Sequence, residues 1–325
     1  MLRAVDARIE RWALRAPFRI ARGTRTETEV VTVSIAEAGI IGRGESTPTA
    51  RYGETPDSVM AQVAAATAAL RDGADRHALQ SLLPPGAARN AIDAALWDLD
   101  AKRGGEAPAT ARTVLSAQTL SIDTPDAMAV AARKLGAARL VKIKVDANDP
   151  AACLRAVRAN LPETTLIVDA NEGWTMPLLA RMQPVLAELR ITFLEQPLPA
   201  REDEALAGFE PLVPICADES CHVAADVERL RGRYGLVNIK LDKTGGLTEA
   251  LALLSAARGA NMGVMVGCMH GTSLSIAPAL RVAALADYAD LDGPWWLAED
   301  RDGGVLFAED GAVSPPRAGF WGDAG

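Results

Sequence analysis

Five short apolar runs between Leu140 and Gly246 each end in charge, and they recur at nearly constant spacing. In order they are LVKIKVD, LIVDANEGW, ITFLEQP, VPICADES and LVNIKLDKTGG, closed by Lys142 and Lys144, Asp169, Glu195, Asp218 and Lys240. From Lys144 to Asp169 is 25 positions, and the following steps are 26, 23 and 22. One strand, one loop and one helix take up that length, so the charges fall at equivalent places in a repeated βα unit. Parallel strands joined in this way close into a barrel whose active site lies at the C-terminal strand ends, where these charges stand.

The flanks supply the remaining parts. TVLSAQTLSI is a first strand ending near Leu120, followed by the helix TPDAMAVAARKLG with a Thr N-cap and a Gly stop. GVMVGC is a seventh strand, and ALADYADLD ends an eighth near Asp290. Beyond Asp292 the chain is too rich in Gly, Pro and turn signals for an eighth helix. Before the repeat, Arg8–Leu14 and Glu29–Ala36 alternate as strands, AGIIGRGE supplies a third, and Pro56–Leu70 and Ala87–Lys102 have helical periodicity. Two polar loops, RIARGTRTETE and STPTARYGETP, lie between these elements, and RGGEAPAT interrupts both periods. The expected fold is α/β: a modified TIM barrel, (β/α)7β, over 104–299 with an N-terminal α+β capping domain over 1–103. The tail, from about 300 to 325, returns to the cap, and the two polar loops of the cap are candidates for a lid over the barrel mouth.

Bulk properties exclude several partners. The net charge of -8, from 34 basic against 42 acidic residues, argues against nucleic acid or an anionic membrane surface. No segment offers about 20 uncharged apolar residues, and no signal-peptide core opens the chain, so a cytoplasmic protein acting on a small molecule is expected. A homo-oligomer is compatible with this. Four cysteines without CxxC spacing are read as buried thiols rather than a disulfide framework or zinc site.

Any single Asp after a strand can be a helix N-cap, and Asp169 or Asp218 taken alone fits that reading. Glu195 does not, because Glu caps poorly and Gln196 and Pro197 follow at once. Three carboxylates on adjacent strands three, four and five would converge and repel one another unless a cation stands among them. Hard oxygen donors favour Mg²⁺. In KIK, Lys142 and Lys144 share one face of the second strand, about 6–7 Å apart. Solvated lysines on an edge strand are the alternative, opposed by the β-branched neighbours Val141, Ile143 and Val145. A neighbouring ammonium and a divalent cation would pull a lysine pKa down from about 10.4, which makes Lys144 a general base. Lys240, on strand six, faces it across the ring, while Lys243 lies beyond the strand as a loop residue. Two opposed bases beside a metal can remove a proton α to a carboxylate from one face, with Mg²⁺ stabilising the enediolate, and return it to the other.

The ordered set KIK, VDANEGW, LEQP, ADES and NIKLDK behind a capping domain resembles the enolase superfamily, in its muconate-lactonizing subgroup. The resemblance implies Lys144 and Lys240 as the acid/base pair, Lys142 as support for the substrate carboxylate, and Asp169, Glu195 and Asp218 as Mg²⁺ ligands. His270 lies near the end of strand seven, where another subgroup keeps a catalytic His. With Lys240 on strand six, it is read as a bystander that packs or sits in a loop. Asp290 and Asp292 in ADLDGP are either a turn or a pair that resembles the dipeptide epimerases, where it holds a free α-ammonium. Arg22 and Arg25 are either solvated or a fork for a side-chain carboxylate. TPTARYGE, with Tyr52, also looks like that branch. The resemblance thus implies epimerisation of the Glu α-carbon of L-Ala-D/L-Glu. N-acylamino acid racemase, o-succinylbenzoate synthase and cycloisomerase are the alternatives within the superfamily. A metallohydrolase would need more than the three histidines present, and an idle scaffold barrel would not need lysines on both faces.

Overall fold

The structure, a computed structural model, describes residues 2–20, 23–106 and 111–323. The capping domain begins with an antiparallel sheet of β1 (Ala4–Ile20), β2 (Gly23–Glu37) and β3 (Ile40–Ser46). Val31, Val33 and Ile35 of β2 present one β-branched face, fully buried against α1 (Pro56–Arg71), α2 (Arg76–Leu82) and α3 (Ala87–Lys102). Thr55 and Ser58 form a reciprocal capping box at the start of α1, with Pro56 in its first turn. Helix α3 is rich in alanine and nearly all buried, so it approaches β3 backbone to backbone. A Cβ at Gly42 or Gly44 would lie 2.1 Å from the carbonyl oxygen of Ala95 or Ala91.

Two features differ from the sequence expectation. The polar stretch 19–29 is largely strand, because β1 continues to Ile20 and β2 resumes at Gly23. Residues 23–27 of this hairpin are exposed, so their polar composition looks like that of a loop. The seven-residue α2, capped by Asp75, is too short to show helical periodicity. The expected break RGGEAPAT falls partly on 107–110, outside the described residues.

After β4 (Val114–Leu115) the barrel strands follow in order: β5 (Gln118–Leu120), β6 (Leu140–Lys144), β7 (Thr165–Asp169), β8 (Ile191–Glu195), β9 (Ile215–Ala217), β10 (Leu236–Lys240), β11 (Gly263–Gly267) and β12 (Tyr288–Asp290). All pair in parallel with their sequence neighbours, and a parallel bridge from Ser116 to Ala289 brings the last strand against the first. Helices α4 (Pro125–Lys134), α5 (Pro150–Asn160) and α6 (Met176–Glu188) cover the first crossovers. The link from β8 to β9 carries only a 3₁₀ segment, Ala200–Leu206, and the next only the four-residue α7 (Val227–Leu230) beside a 3₁₀ turn. Helices α8 (Leu241–Thr244), α9 (Leu247–Gly259) and α10 (Ser273–Ala283) complete seven connections among the described residues. A 3₁₀ turn, Gly293–Trp296, stands where an eighth helix would begin.

Inside the barrel, Ala117, Leu140, Ile167, Phe193, Cys216, Leu236 and Met265 form an apolar floor. On β6, β7, β8 and β10 the next inward residue is Lys142, Asp169, Glu195 and Asn238, which places polar chemistry directly above it. The tail forms β13 (Leu306–Phe307) and β14 (Ala312–Ser314), with β14 paired to β4, and then reaches the cap. There the Trp321 indole donates to the carbonyls of Arg43 and Ala94, and the Gly322 N–H donates to Asp98. No helix among the described residues is long and apolar enough to cross a membrane.

Candidate active site

Period-two geometry aims Lys142 and Lys144 from β6 into the barrel mouth, while Val141 and Ile143 pack outward under the helices. Asp169 and Glu195 close β7 and β8, Asp218 follows β9, and all three are buried. Lys142 Nζ stands 3.0 Å from Asp169 Oδ2, 2.7 Å from Glu195 Oε2 and 2.8 Å from Asp290 Oδ2. Lys144 Nζ donates to the same Asp169 oxygen at 2.6 Å. On the far side Lys240 Nζ donates to Asp218 Oδ2 at 2.7 Å. Lys243 is no loop residue: it lies in α8, fully buried, and gives its ammonium to the other Asp218 oxygen at 2.7 Å and to the carbonyl of Asn238. Its side chain is thus committed to structure, whereas Lys240 lines the cavity.

The electrostatics follow from this packing. Burial pulls the Lys142 ammonium toward neutrality, but Asp169, Asp290 and Glu195 together outweigh it and hold its pKa well above the usual range. At Lys240 burial is likewise outweighed, here by Asp218, and the pKa is raised. Asp169 is lowered despite burial, by Lys142 and Lys144. Glu195 is pushed up to about 8, by burial first and then by Asp169.

These carboxylates fit a divalent cation by their chemistry. As they stand, no three acidic, His or Cys side chains among the described residues gather round a point, because lysine ammoniums lie between them. Yet Glu195 cannot ionise readily where it sits, and its Oε2 has ion-pair contact with Lys142 but no aligned hydrogen bond. Its other oxygen accepts from Asn238 Nδ2 at 2.8 Å. A buried set of hard oxygens oriented by hydrogen bonds suits Mg²⁺.

Above this layer lies a cavity of about 470 Å³ bordered by the cap. Phe18, Thr24 and Arg25 reach it from the hairpin, and Thr49, Ala50 and Arg51 reach it from the loop after β3. Asp290 and Asp292 form part of its wall, and both are tied to Thr119: its hydroxyl donates to Asp290 Oδ1 at 3.4 Å and its N–H to Asp292 Oδ2 at 2.9 Å. Burial, then Asp290, raises the Asp292 carboxyl to about 6. His270 packs edge-on against Phe18 at 4.3 Å, and burial, followed by Arg25, lowers its pKa to about 4, so it is neutral.

Tyr52 is not among the residues that line this cavity. It lies in the 3₁₀ turn Ala50–Tyr52, where successive side chains diverge, and meets His222 edge-on at 4.8 Å in a neighbouring cleft. Arg51, one position earlier, does line the cavity and makes a bidentate pair with Glu172. Arg22 lies outside the described residues.

Sequence reasoning did not single out Asn238, Thr119 or Arg51, nor Gln196, whose Oε1 accepts the Asp218 N–H at 2.9 Å. Asn238 carried a signal: it precedes Lys240 by two in NIK and so shares its inward face. Thr119 carried the same signal, two positions after the floor residue Ala117 on the first barrel strand, whereas Arg51 and Gln196 lie outside the strands, where no local pattern records their contacts.

Comparison with known proteins agrees with this arrangement. Residues 3–108 match the N-terminal domain of mandelate racemase / muconate lactonizing enzyme, and 126–320 match the enolase C-terminal domain-like family. The L-Ala-D/L-Glu epimerase of Escherichia coli (strain K12) is 49% identical over 94% of this chain and 98% of its own length. An N-acetyl-D-glutamate racemase from Pseudoalteromonas sp is 43% identical, over 91% and 96%. A solved enolase family member from Agrobacterium tumefaciens, with homology to dipeptide epimerases and bound to sodium and L-Ala-L-Glu, superposes with a TM-score of 0.95. It is 46% identical over 98% of this chain and all of that one. Matched through both its cap and its barrel, the chain belongs to the mandelate racemase / muconate lactonizing enzyme family of the enolase superfamily.

Proposed function

We propose that the protein is a Mg²⁺-dependent dipeptide epimerase that inverts the Glu α-carbon of L-Ala-D/L-Glu by two-base proton transfer. The observation that carries this is the placement of Lys144 and Lys240. Both line one cavity from the second and sixth strands of an eight-stranded ring, hence from opposite sides. A substrate α-carbon held between them can lose its proton to one lysine and regain a proton from the other, which inverts the centre. Asp169, Glu195 and Asp218 would hold Mg²⁺, which when bound supplies positive charge against the substrate carboxylate as charge develops there. Lys142 supports the same carboxylate. Arg25 takes the glutamate side chain, and Asp290 and Asp292 take the α-ammonium. The four cysteines, none of them in a disulfide, suit the cytoplasm.

The relation to an N-acetyl-D-glutamate racemase favours one rival, racemisation of an N-acylated glutamate. An acyl amide offers no positive charge to Asp292, and because Lys142 is already paired with Asp290, leaving that second buried carboxylate without a cationic partner costs binding. Incubation with Mg²⁺ and either L-Ala-L-Glu or N-acetyl-L-glutamate, followed by chiral chromatography, decides between them. Conversion of the dipeptide at a kcat/KM at least about tenfold higher supports the proposal, whereas turnover of the N-acetyl compound alone overturns it.

A further inference from the structure

The turn after the last barrel strand is a joint between the hairpin and the pocket. It starts at Asp292 and ends at Trp296, and its Gly293 is seated so tightly that a Cβ there would lie 2.6 Å from the carbonyl oxygen of Met269. From its far end the Trp296 indole N–H reaches back and donates to Asp292 Oδ2 at 3.2 Å, the same oxygen that accepts from Thr119. The Trp296 ring meets the Phe18 ring edge-on, with centroids 4.7 Å apart and planes at 75°. Phe18 in turn stands against His270, so the hairpin's aromatic side chain is held between two loops of the barrel mouth.

Other contacts pin the hairpin to this same segment. Leu14 and Leu297 form an antiparallel bridge, the Ala298 N–H donates to the Ala13 carbonyl at 2.8 Å, and the Arg15 guanidinium donates to the Leu297 carbonyl. Beyond the register shift between Ala13 and Phe18, Phe18 pairs directly with Arg25 on the opposing strand. The strand pair that inserts Phe18 therefore also brings Arg25 to the cavity. One indole thus touches the hairpin with its ring and a cavity carboxylate with its N–H.

We infer that Trp296 is a positioning residue through which seating of the hairpin fixes the orientation of Asp292, so that the two ends of the substrate pocket are set together. This rests on the reading above in which Asp292 receives a substrate ammonium. An indole N–H on a buried carboxylate is a charge-assisted bond that restrains its rotation, and a ring held edge-on by Phe18 keeps the N–H aimed. A hairpin withdrawn from Trp296 would release Arg25 and leave Asp292 Oδ2 held by the Thr119 N–H alone.

The test uses the full chain with Mg²⁺ and two probes, L-Ala-L-Glu and N-acetyl-L-glutamate, on wild type, Trp296→Phe, Phe18→Ala and the double variant. Trp296→Phe keeps a ring against Phe18 but removes the N–H. The expected result is a KM for the dipeptide raised roughly tenfold or more, with kcat within about twofold and unchanged kinetics on the N-acetyl probe, which has no ammonium. Phe18→Ala should raise the same KM, and the double variant should show less than the product of the two single effects. Unchanged dipeptide KM in Trp296→Phe, equal losses on both probes, or single effects that multiply fully would overturn the inference. Failure of the wild type to turn over the dipeptide at all would instead overturn the underlying reading, so the two outcomes are distinguishable.

Discussion

In the proposed reaction Lys144 and Lys240 serve opposite faces of one carbon, so their losses should differ from ordinary inactivation. Lys144→Ala and Lys240→Ala should each reduce epimerisation at least about a hundredfold. Each variant should still exchange the α-proton of one epimer with solvent, and the two variants should favour opposite epimers. Proton NMR of L-Ala-L-Glu and L-Ala-D-Glu in D₂O reads this directly, and loss of both exchanges in either variant would argue against separate bases. In the same proposal Asp292 sets a pH limit. Its carboxyl, raised to about 6 by burial and Asp290, is protonated below that pH and then offers the ammonium no negative charge. The neighbouring Lys142 is already paired with Asp290. Dipeptide kcat/KM should therefore fall as pH drops through about 6, while the N-acetyl probe should lack this limb. At this scale the sequence was informative wherever a side chain sat on a strand, because period two fixes its face: Lys142, Lys144, Asp169, Glu195 and Lys240 could all be placed inward. It was uninformative for Tyr52, because a 3₁₀ turn gives no such period and a neighbour, Arg51, took the cavity position.

At the level of elements, the cap owes its shape to the contact between β3 and α3. Gly44→Ala places a methyl group 2.1 Å from the Ala91 carbonyl oxygen, and backbone on both sides must move. A loss of about 3 kcal/mol is expected, measured as a lower urea midpoint with an unchanged slope. A variant as stable as wild type would show that the strand and helix are not locked together. The barrel strands were legible because their buried runs end in charge, and α1 because Thr55 and Pro56 mark its start. The hairpin was not: its exposed residues 23–27 need no apolar alternation, so Thr24 to Glu27 carry no strand signal beyond their threonines. The shortened links between β8 and β10 were likewise invisible, since spacing of 23 and 22 positions leaves room for a full helix that is not there.

For the whole molecule, the centre of the barrel is a crowd of charge held by internal ion pairs, with one carboxyl, Glu195, pushed to about 8. A bound divalent cation relieves that crowding only in the folded state, so Mg²⁺ should raise the melting temperature by a few degrees at about a hundred times its Kd. EDTA should reverse the gain, and Glu195→Gln should reduce it. The central claim is proton transfer next to a carboxylate between two opposed lysines. Its most direct test is the wild-type protein with Mg²⁺ and L-Ala-L-Glu in D₂O, followed by proton NMR at the Glu α-position. The expected result is loss of the α-proton signal together with appearance of L-Ala-D-Glu carrying deuterium at that carbon. Persistence of the α-proton with no epimer formed would contradict it.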